Sequence, residues 1–450
     1  MMKEKTKIDI SAVRHVHFIG IGGIGISALA RYFLHEKKKV SGSDRTPSTI
    51  TDALVQEEVL FFSTQVAENI TDGIDLVVYT EAMPQDHEEL VVARKKNIPC
   101  VNYFEALGLV ANPYYLIAVA GTHGKTTTTA MLIDVLEEAG FDPTAMVGSL
   151  RAKTKSNFRA GKSKYCIVEA CEYRRDFLHL KPSILVITNI EAEHLDYYKD
   201  LADIQDAFGE LARSVPEDGF IVCNPMDTSV VPTLAGVVAT VIDYTKLVDP
   251  LLALRAPGIH NVLNAGAVCA VAHALGIKRE TAREGRGHFA GTWRRSEYLG
   301  ETKKGTLVFD DYGHHPTEIE TTLKGFRERY PKKRMVVAFQ PHLHSRTEDF
   351  FDRFVEALAI ANEVVLAPIF EARKENVYAV SSEKLAEAIQ GKMKGEIGEP
   401  LGKVLTFPSY KTIAEYLTTH TGKNDLIITM GAGAINTVAE MIVIKTENKK

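Results

Sequence analysis

Between Leu116 and Ala130 the chain reads LIAVAGTHGKTTTTA, a set of residue types that could hold a nucleoside triphosphate. Gly121, Thr122, His123 and Gly124 make a short loop whose backbone N–H groups can turn toward phosphate oxygens. Lys125 supplies a point charge, and the hydroxyl of Thr126, followed by Thr127, can hold Mg²⁺. The loop is shorter than the usual GxxxxGK[ST], because Val119 stands where the first glycine would be. A hard cation wants further oxygen ligands with an occasional histidine. Glu169 and His194 are the candidates, each at the end of an apolar run in the same segment; Glu191, Glu193 and Asp196 are nearby alternatives, and His194 could instead cap a helix or sit in the core.

A second cluster, Gly20, Gly22, Gly23 and Gly25, follows the apolar run Val16–Ile19 and precedes a helical pattern, and a second strand ends in Ser43 and Asp44. This is GxGxxG with an acid about 20 residues on. The physics selects a diphosphate on a helix N-terminus with a ribose hydroxyl near an acid, and NAD and a UDP-sugar offer both equally. The run Asp75–Thr80 ends in the polar Thr80, at the strand end where ligands of open α/β sheets sit. Farther on, Tyr312 and His314 lie beyond one apolar run and His342 and Arg346 beyond another, a polar cluster in which arginine suits a carboxylate. Arg294 and Arg295 could deliver positive charge to a transferring phosphoryl group across a closing cleft, or form a surface pair.

These residues need a scaffold that ends strands beside helix starts. Apolar runs alternate with helical patterns along the whole chain, which predicts parallel sheets of an α/β protein. At 450 residues the chain exceeds what one core supports. The pattern restarts after Asn112–Pro113 and near residue 298, so three domains are expected: a Rossmann-like domain over 1–112, a central P-loop ATPase-like parallel sheet over 113–297 and a C-terminal Rossmann-like domain over 298–450. Arg151–Lys164 is basic and polar, a loop near substrate or a solvated one.

The apolar fraction of 45% and charged fraction of 25% are those of an ordinary globular protein. A net charge of -5 gives no reason to expect nucleic acid as a partner. Five cysteines, scattered and without a CxxC pair, argue against a disulfide framework or a zinc site and fit reduced thiols in a cytosol. The N-terminus lacks an apolar signal region and no run approaches the ~18 apolar residues of a membrane span, so a cytoplasmic protein without membrane insertion is expected. The C-terminal TENKK reads as a tail.

The ordered motifs GIGGIG, AGTHGKTTT, VEACEY, TNIEAEHLDYY, PGIHNVLNA, FAGTWRRSEYLG, DDYGHHPTE, FQPHLHSRT and TMGAGAI cover nearly the whole chain and resemble the Mur ligase family. GIGGIG with DDYGHHPTE and FQPH resembles the branch that adds L-alanine to UDP-N-acetylmuramate. The resemblance implies that the first glycine loop holds the diphosphate of UDP-N-acetylmuramate with Ser43 and Asp44 nearby. It also implies that Lys125 and Thr126 engage ATP phosphates and Mg²⁺, with Mn²⁺ as the alternative ion, and that Glu169 and His194 are metal ligands. His260 and Asn261 would contact the adenosine, Arg294 would reach phosphate, and Asp311 would hold the ATP ribose. Tyr312, His314, His342 and Arg346 would surround the incoming amino acid. The activity implied is ATP-dependent amide formation through an acyl phosphate, by a monomer or homodimer, in peptidoglycan precursor synthesis.

The chain departs from the family at several places. Leu343 stands where an arginine often follows the QPH histidine, Trp293 where glycine is usual, and Ala434 and Asn436 where Asp and an aromatic are common. Phe208, Gly209 and Glu210 occupy the region where several relatives carry a carbamylated lysine, so no modified lysine is expected. A ligase for another amino acid or a peptide, a catalytically silent UDP-sugar-binding protein, and a nicotinamide dehydrogenase are the competing readings. The last leaves the triphosphate loop idle.

Overall fold

The structure, a computed structural model, describes residues 8–249, 257–371, 379–393 and 402–444. The expected tail TENKK lies outside them. Three sheets carry the described chain. The first runs Leu60–Phe62, Lys39–Ser43, His15–Ile19, Leu76–Tyr79, Cys100–Asn102, all parallel. Its strand order reverses between His15–Ile19 and Leu76–Tyr79. The glycine loop leaves the first of these strands and Thr80 follows the second, so both stand at the crevice where open α/β sheets bind ligands.

The second sheet runs Thr240–Asp243, Phe220–Cys223, Ile184–Ile187, Tyr115–Ala120, Tyr165–Glu169, Thr144–Met146, Phe158–Arg159. Tyr115–Ala120 is central, and Leu116 to Ala120 are fully buried, because helices on both faces turn the strand into a continuous apolar run. Its parallel neighbours Ile184–Ile187 and Tyr165–Glu169 end level with the triphosphate loop, which delivers Glu169 to it. Phe158–Arg159 pairs antiparallel with Thr144–Met146, so the sheet is parallel except at one edge.

The third sheet runs Glu297–Glu301, Leu307–Asp311, Asp425–Met430, Arg334–Phe339, Glu363–Leu366, Lys403–Thr406 and is parallel except for its antiparallel first pair. By contact density the chain forms two compact units, one of residues 1–251 with 263–290 and one of 252–262 with 291–450. The first two sheets thus share a unit. Among the described residues no helix is long and apolar enough to cross a membrane.

The basic segment Arg151–Lys164 is docked through its two arginines, while its lysines are exposed. Arg151 is buried and places Nη2 2.6 Å from Asp134 Oδ1 and 2.8 Å from Glu137 Oε2, both on the helix Lys125–Glu138, while Arg159 Nε lies 2.6 Å from the other Glu137 oxygen. The charges of its two arginines are spent on the flank of the triphosphate helix. Acids at helical spacing there, Asp134 and Glu137, were the signal for this docking.

Candidate active site

The triphosphate loop leaves Ala120 with Gly121 at φ +131° and reaches the helix through Gly124 at φ +83°. A side chain at either position would be strained, and a Cβ on Gly121 would stand 2.0 Å from Thr188 Oγ1. Asn189 clamps the loop from the neighbouring strand end, accepting from His123 N–H at 2.9 Å and donating to His123 O at 3.0 Å. The hydroxyl of Thr122 accepts from Glu191 N–H at 2.9 Å. Gly124 caps the helix without a side-chain acceptor, so the N–H groups of Lys125 to Thr127 form a helix start suited to phosphate.

Lys125 Nζ lies 3.0 Å from each carboxylate oxygen of Glu172, 2.5 Å from Gly121 O and 3.1 Å from Thr122 O. Burial works against a charge on Lys125, but Glu172, followed by Cys171 and Glu193, outweighs it and holds its pKa above the ordinary lysine value. The ammonium is therefore permanent. Thr126 Oγ1 donates to Glu169 Oε2 at 3.0 Å, and the other oxygen of Glu169 accepts from Gly148 N–H at 2.5 Å. His194, in the left-handed region at φ +56°, places Nε2 3.8 Å from Glu172 Oε1, and Glu172, Glu193 and His194 bring ligand atoms within 4.8 Å of one another. The hydroxyl and carboxylate of Thr126 and Glu169 are donors a hard divalent cation accepts and fit Mg²⁺, and Glu172, Glu193 and His194 form a second group of suitable ligands.

In the first sheet Asp44 Oδ2 accepts from Gly22 N–H at 2.9 Å, fixing the glycine loop by the acid the spacing singled out. Gly20 has φ +81°, and its missing Cβ would meet Thr80 Cγ2 at 2.6 Å. Ser43 is fully buried and donates to Glu89 Oε2 at 2.7 Å, so it supports the strand end and does not offer its hydroxyl to a ligand here. Tyr103 packs its ring end against Gly25, with Oη 2.9 Å from the position of a Cβ there.

In the second unit the amino-acid candidates come together. The rings of Tyr312 and His314 lie 5.4 Å apart and those of His314 and His342 5.6 Å apart, with Arg346 Nη1 3.4 Å from His342 Nδ1. Burial holds the His314 pKa well below the usual imidazole value, although Glu318 opposes this, so His314 is neutral. Leu343 is buried, at φ +65°, and starts the helix His344–Asp349. Its side chain belongs to the interior, leaving Arg346 as the cation of the cluster's helix.

Two expectations meet a different arrangement. Arg294, expected at phosphate, is buried and spends its fork internally, with Nε 2.8 Å from Asp310 Oδ2, Nη1 2.8 Å from Gly433 O and Nη2 2.5 Å from Gly431 O. Arg295, partly exposed, lies over the Tyr312 ring at 5.2 Å. Asp311, expected at the ribose, accepts from Ser296 N–H at 2.6 Å and from Gly313 N–H at 2.7 Å, so both of its oxygens already hold backbone. Asn261 donates to Pro257 O at 2.8 Å, and His260 lies 2.6 Å from where a Gly258 Cβ would be. Glu172, Gly148 and Asn264 also belong to this site, the last with its Oδ1 2.4 Å from the position of a Gly124 Cβ. Glu172 alone carried a signal, three residues after Glu169 in VEACEY.

A triphosphate loop and a diphosphate loop, each at the carboxyl end of a parallel sheet, define a nucleotide-using enzyme of the α/β class. Models of the Mur ligase family match three stretches: its catalytic domain over residues 15–115, its middle domain over 119–247 and its glutamate ligase domain over 294–433. The chain belongs to the Mur ligase family and is an ATP-dependent, amide-bond-forming ligase. It is 38% identical to the UDP-N-acetylmuramate–L-alanine ligase of Agathobacter rectalis over 98% of this chain and 100% of that one. It is 39% identical to that of Clostridium kluyveri over 96% and 98%. Among solved structures it resembles the UDP-N-acetylmuramate–alanine ligase MurC of Thermotoga maritima, with a TM-score of 0.79 at 26% identity over 95% of this chain and 98% of that one. A murein peptide ligase of Psychrobacter arcticus gives 0.69 at 25% identity over the same shares.

Proposed function

We propose that this chain joins L-alanine to the carboxylate of UDP-N-acetylmuramate, using ATP and Mg²⁺, in the cytoplasmic synthesis of peptidoglycan precursors. The observation that carries the reading is the pair of cradles in one compact unit: Gly20–Gly25 braced by Asp44 for a diphosphate, and Gly121–Thr126 with Lys125 for a triphosphate. Relatives named for this reaction, 36–39% identical across nearly the whole chain, support the substrate assignment.

The sugar carboxylate attacks the γ-phosphorus of ATP, ADP departs, and an acyl phosphate forms. Lys125 and the N-terminus of the helix Lys125–Glu138 neutralise the phosphate charge. Bound Mg²⁺ would offset further charge on the phosphates, with Thr126, Glu169 and His194 as the residues that would hold it; Mn²⁺ suits the same donors. Arg346 binds the carboxylate of L-alanine. The L-alanine amine reacts in the unprotonated form, the proton passing to solvent, beside the neutral His314. The amine attacks the acyl carbon, and the tetrahedral intermediate expels phosphate to leave the amide.

Incubation of the purified protein with UDP-N-acetylmuramate, ATP, Mg²⁺ and each amino acid in turn, with mass spectrometry of the product, tests the reading. The expected product is the L-alanyl conjugate. Amide formation with another amino acid or a peptide in its place would move the chain to another branch of the family, the reading that Leu343 favours.

A further inference from the structure

Asn157 is fully buried and reaches into the first turn of the diphosphate helix Ile24–His35. Its Nδ2 donates to Ile24 O at 2.5 Å and to Ser27 Oγ at 2.9 Å, and its Oδ1 accepts from Arg31 Nη1 at 2.5 Å. The backbone oxygen of Asn157 accepts from Val147 N–H at 2.9 Å. The next residue, Gly148, donates its N–H to Glu169 Oε1 at 2.5 Å, and Glu169 Oε2 accepts from Thr126 at 3.0 Å. A continuous path of hydrogen bonds and one covalent step therefore joins the start of the diphosphate helix to the carboxylate beside the triphosphate loop.

Gly148 is the narrow point of this path. A Cβ there would stand 2.6 Å from Glu169 Oε2 and 3.0 Å from its Cδ, so the carboxylate can hold this position only against glycine. Its φ is not positive, so alanine there displaces the carboxylate without straining the backbone. Strand pairing does not demand the contact, since the Thr144–Met146 ladder ends before Gly148.

We propose that Val147, Gly148 and Asn157 form a strap through which the diphosphate helix sets the position of Glu169, so that the UDP-sugar and the Mg²⁺-nucleotide each strengthen binding of the other. The inference rests on the functional reading above, in which Glu169 holds the cation. A diphosphate on Gly20–Gly25 fixes the turn whose Ile24 carbonyl and Ser27 hydroxyl hold Asn157, and the strap passes that restraint to Gly148. Gly148 and Asn157 are positioning residues. Binding coupling is reciprocal, so each ligand must raise the affinity of the other by the same factor.

Calorimetric titration of the full chain with a non-hydrolysable ATP analogue and Mg²⁺, with and without saturating UDP-N-acetylmuramate, tests this in the wild type, Gly148→Ala and Asn157→Ala. The wild type should show a coupling factor of about five-fold or more, equal in both directions. Both variants should bring the factor close to one while binding the UDP-sugar alone nearly as the wild type does, an outcome that loss of general stability would not produce. If Asn157→Ala fails to fold, Gly148→Ala carries the test. Coupling that persists in Gly148→Ala, or a wild type that binds both ligands without coupling, overturns the strap. A wild type that binds no UDP-sugar overturns the functional reading as well.

Discussion

Lys125 Nζ sits 3.0 Å from both carboxylate oxygens of Glu172, a glutamate whose side chain is only 3% exposed. Without nucleotide, Glu172 is the counter-ion of the phosphate-binding lysine. A triphosphate offers that lysine a second set of anionic partners, so Glu172 matters most to the nucleotide-free protein. Glu172→Gln should lower its stability by about 2 kcal/mol, the scale of a hydrogen bond to a charged group. Thermal melts with and without Mg²⁺ and an ATP analogue check this: the gap to the wild type should narrow with nucleotide, and a constant gap would contradict the exchange.

Lys125→Ala should reduce turnover by about 100-fold or more, the scale of losing one preorganised charge at the reacting group. UDP-N-acetylmuramate binding, read by calorimetry, should stay near wild type, because the diphosphate lies on a different sheet.

The phosphate loop and the glycine loop were legible because both need backbone that only glycine supplies, at strand ends that periodicity reveals. Gly121 and Gly124 with positive φ, and Gly22 held by Asp44, are local consequences of local residues. Asn157 was not legible, since its partners Ile24 and Ser27 lie 133 and 130 residues away and nothing near it in sequence signals them. Arg294 shows the converse. Its motif suggested a phosphate ligand, but Asp310 and the carbonyls of Gly431 and Gly433, which fill its fork, come together only when the third sheet pairs Leu307–Asp311 with Asp425–Met430. The antiparallel edges also escaped, because short edge strands such as Phe158–Arg159 carry too few residues for a period to show.

Asp176 is buried beside Glu81, and its Oδ2 lacks a hydrogen-bond partner. Burial, reinforced by Glu81, pushes its pKa up to about 7. The folded value lies above the unfolded one of about 3.9. Stability is therefore full below about pH 4 and is lost as the pH rises toward 7, by up to about 4 kcal/mol from this group. Asp176→Asn should remove that loss. Urea midpoints at pH 5 and pH 8 should show the variant gaining on the wild type at the higher pH; parallel curves would contradict the assignment.

Arg346→Lys should raise KM for L-alanine by about 30-fold, from roughly 2 kcal/mol for a charged hydrogen bond lost when a planar fork becomes a point charge. KM for ATP should stay unchanged. Steady-state kinetics with each substrate varied in turn separates the two, and equal rises in both constants would remove Arg346 from the amino-acid pocket.

The central claim is that the carboxylate of the sugar nucleotide is activated by direct phosphoryl transfer at Lys125 and Thr126. UDP-N-acetylmuramate labelled with ¹⁸O in its carboxylate, turned over with ATP and L-alanine, tests it through mass analysis of the released phosphate. An acyl-phosphate route places one labelled oxygen in each inorganic phosphate formed. Unlabelled phosphate, or label appearing in AMP, would contradict it.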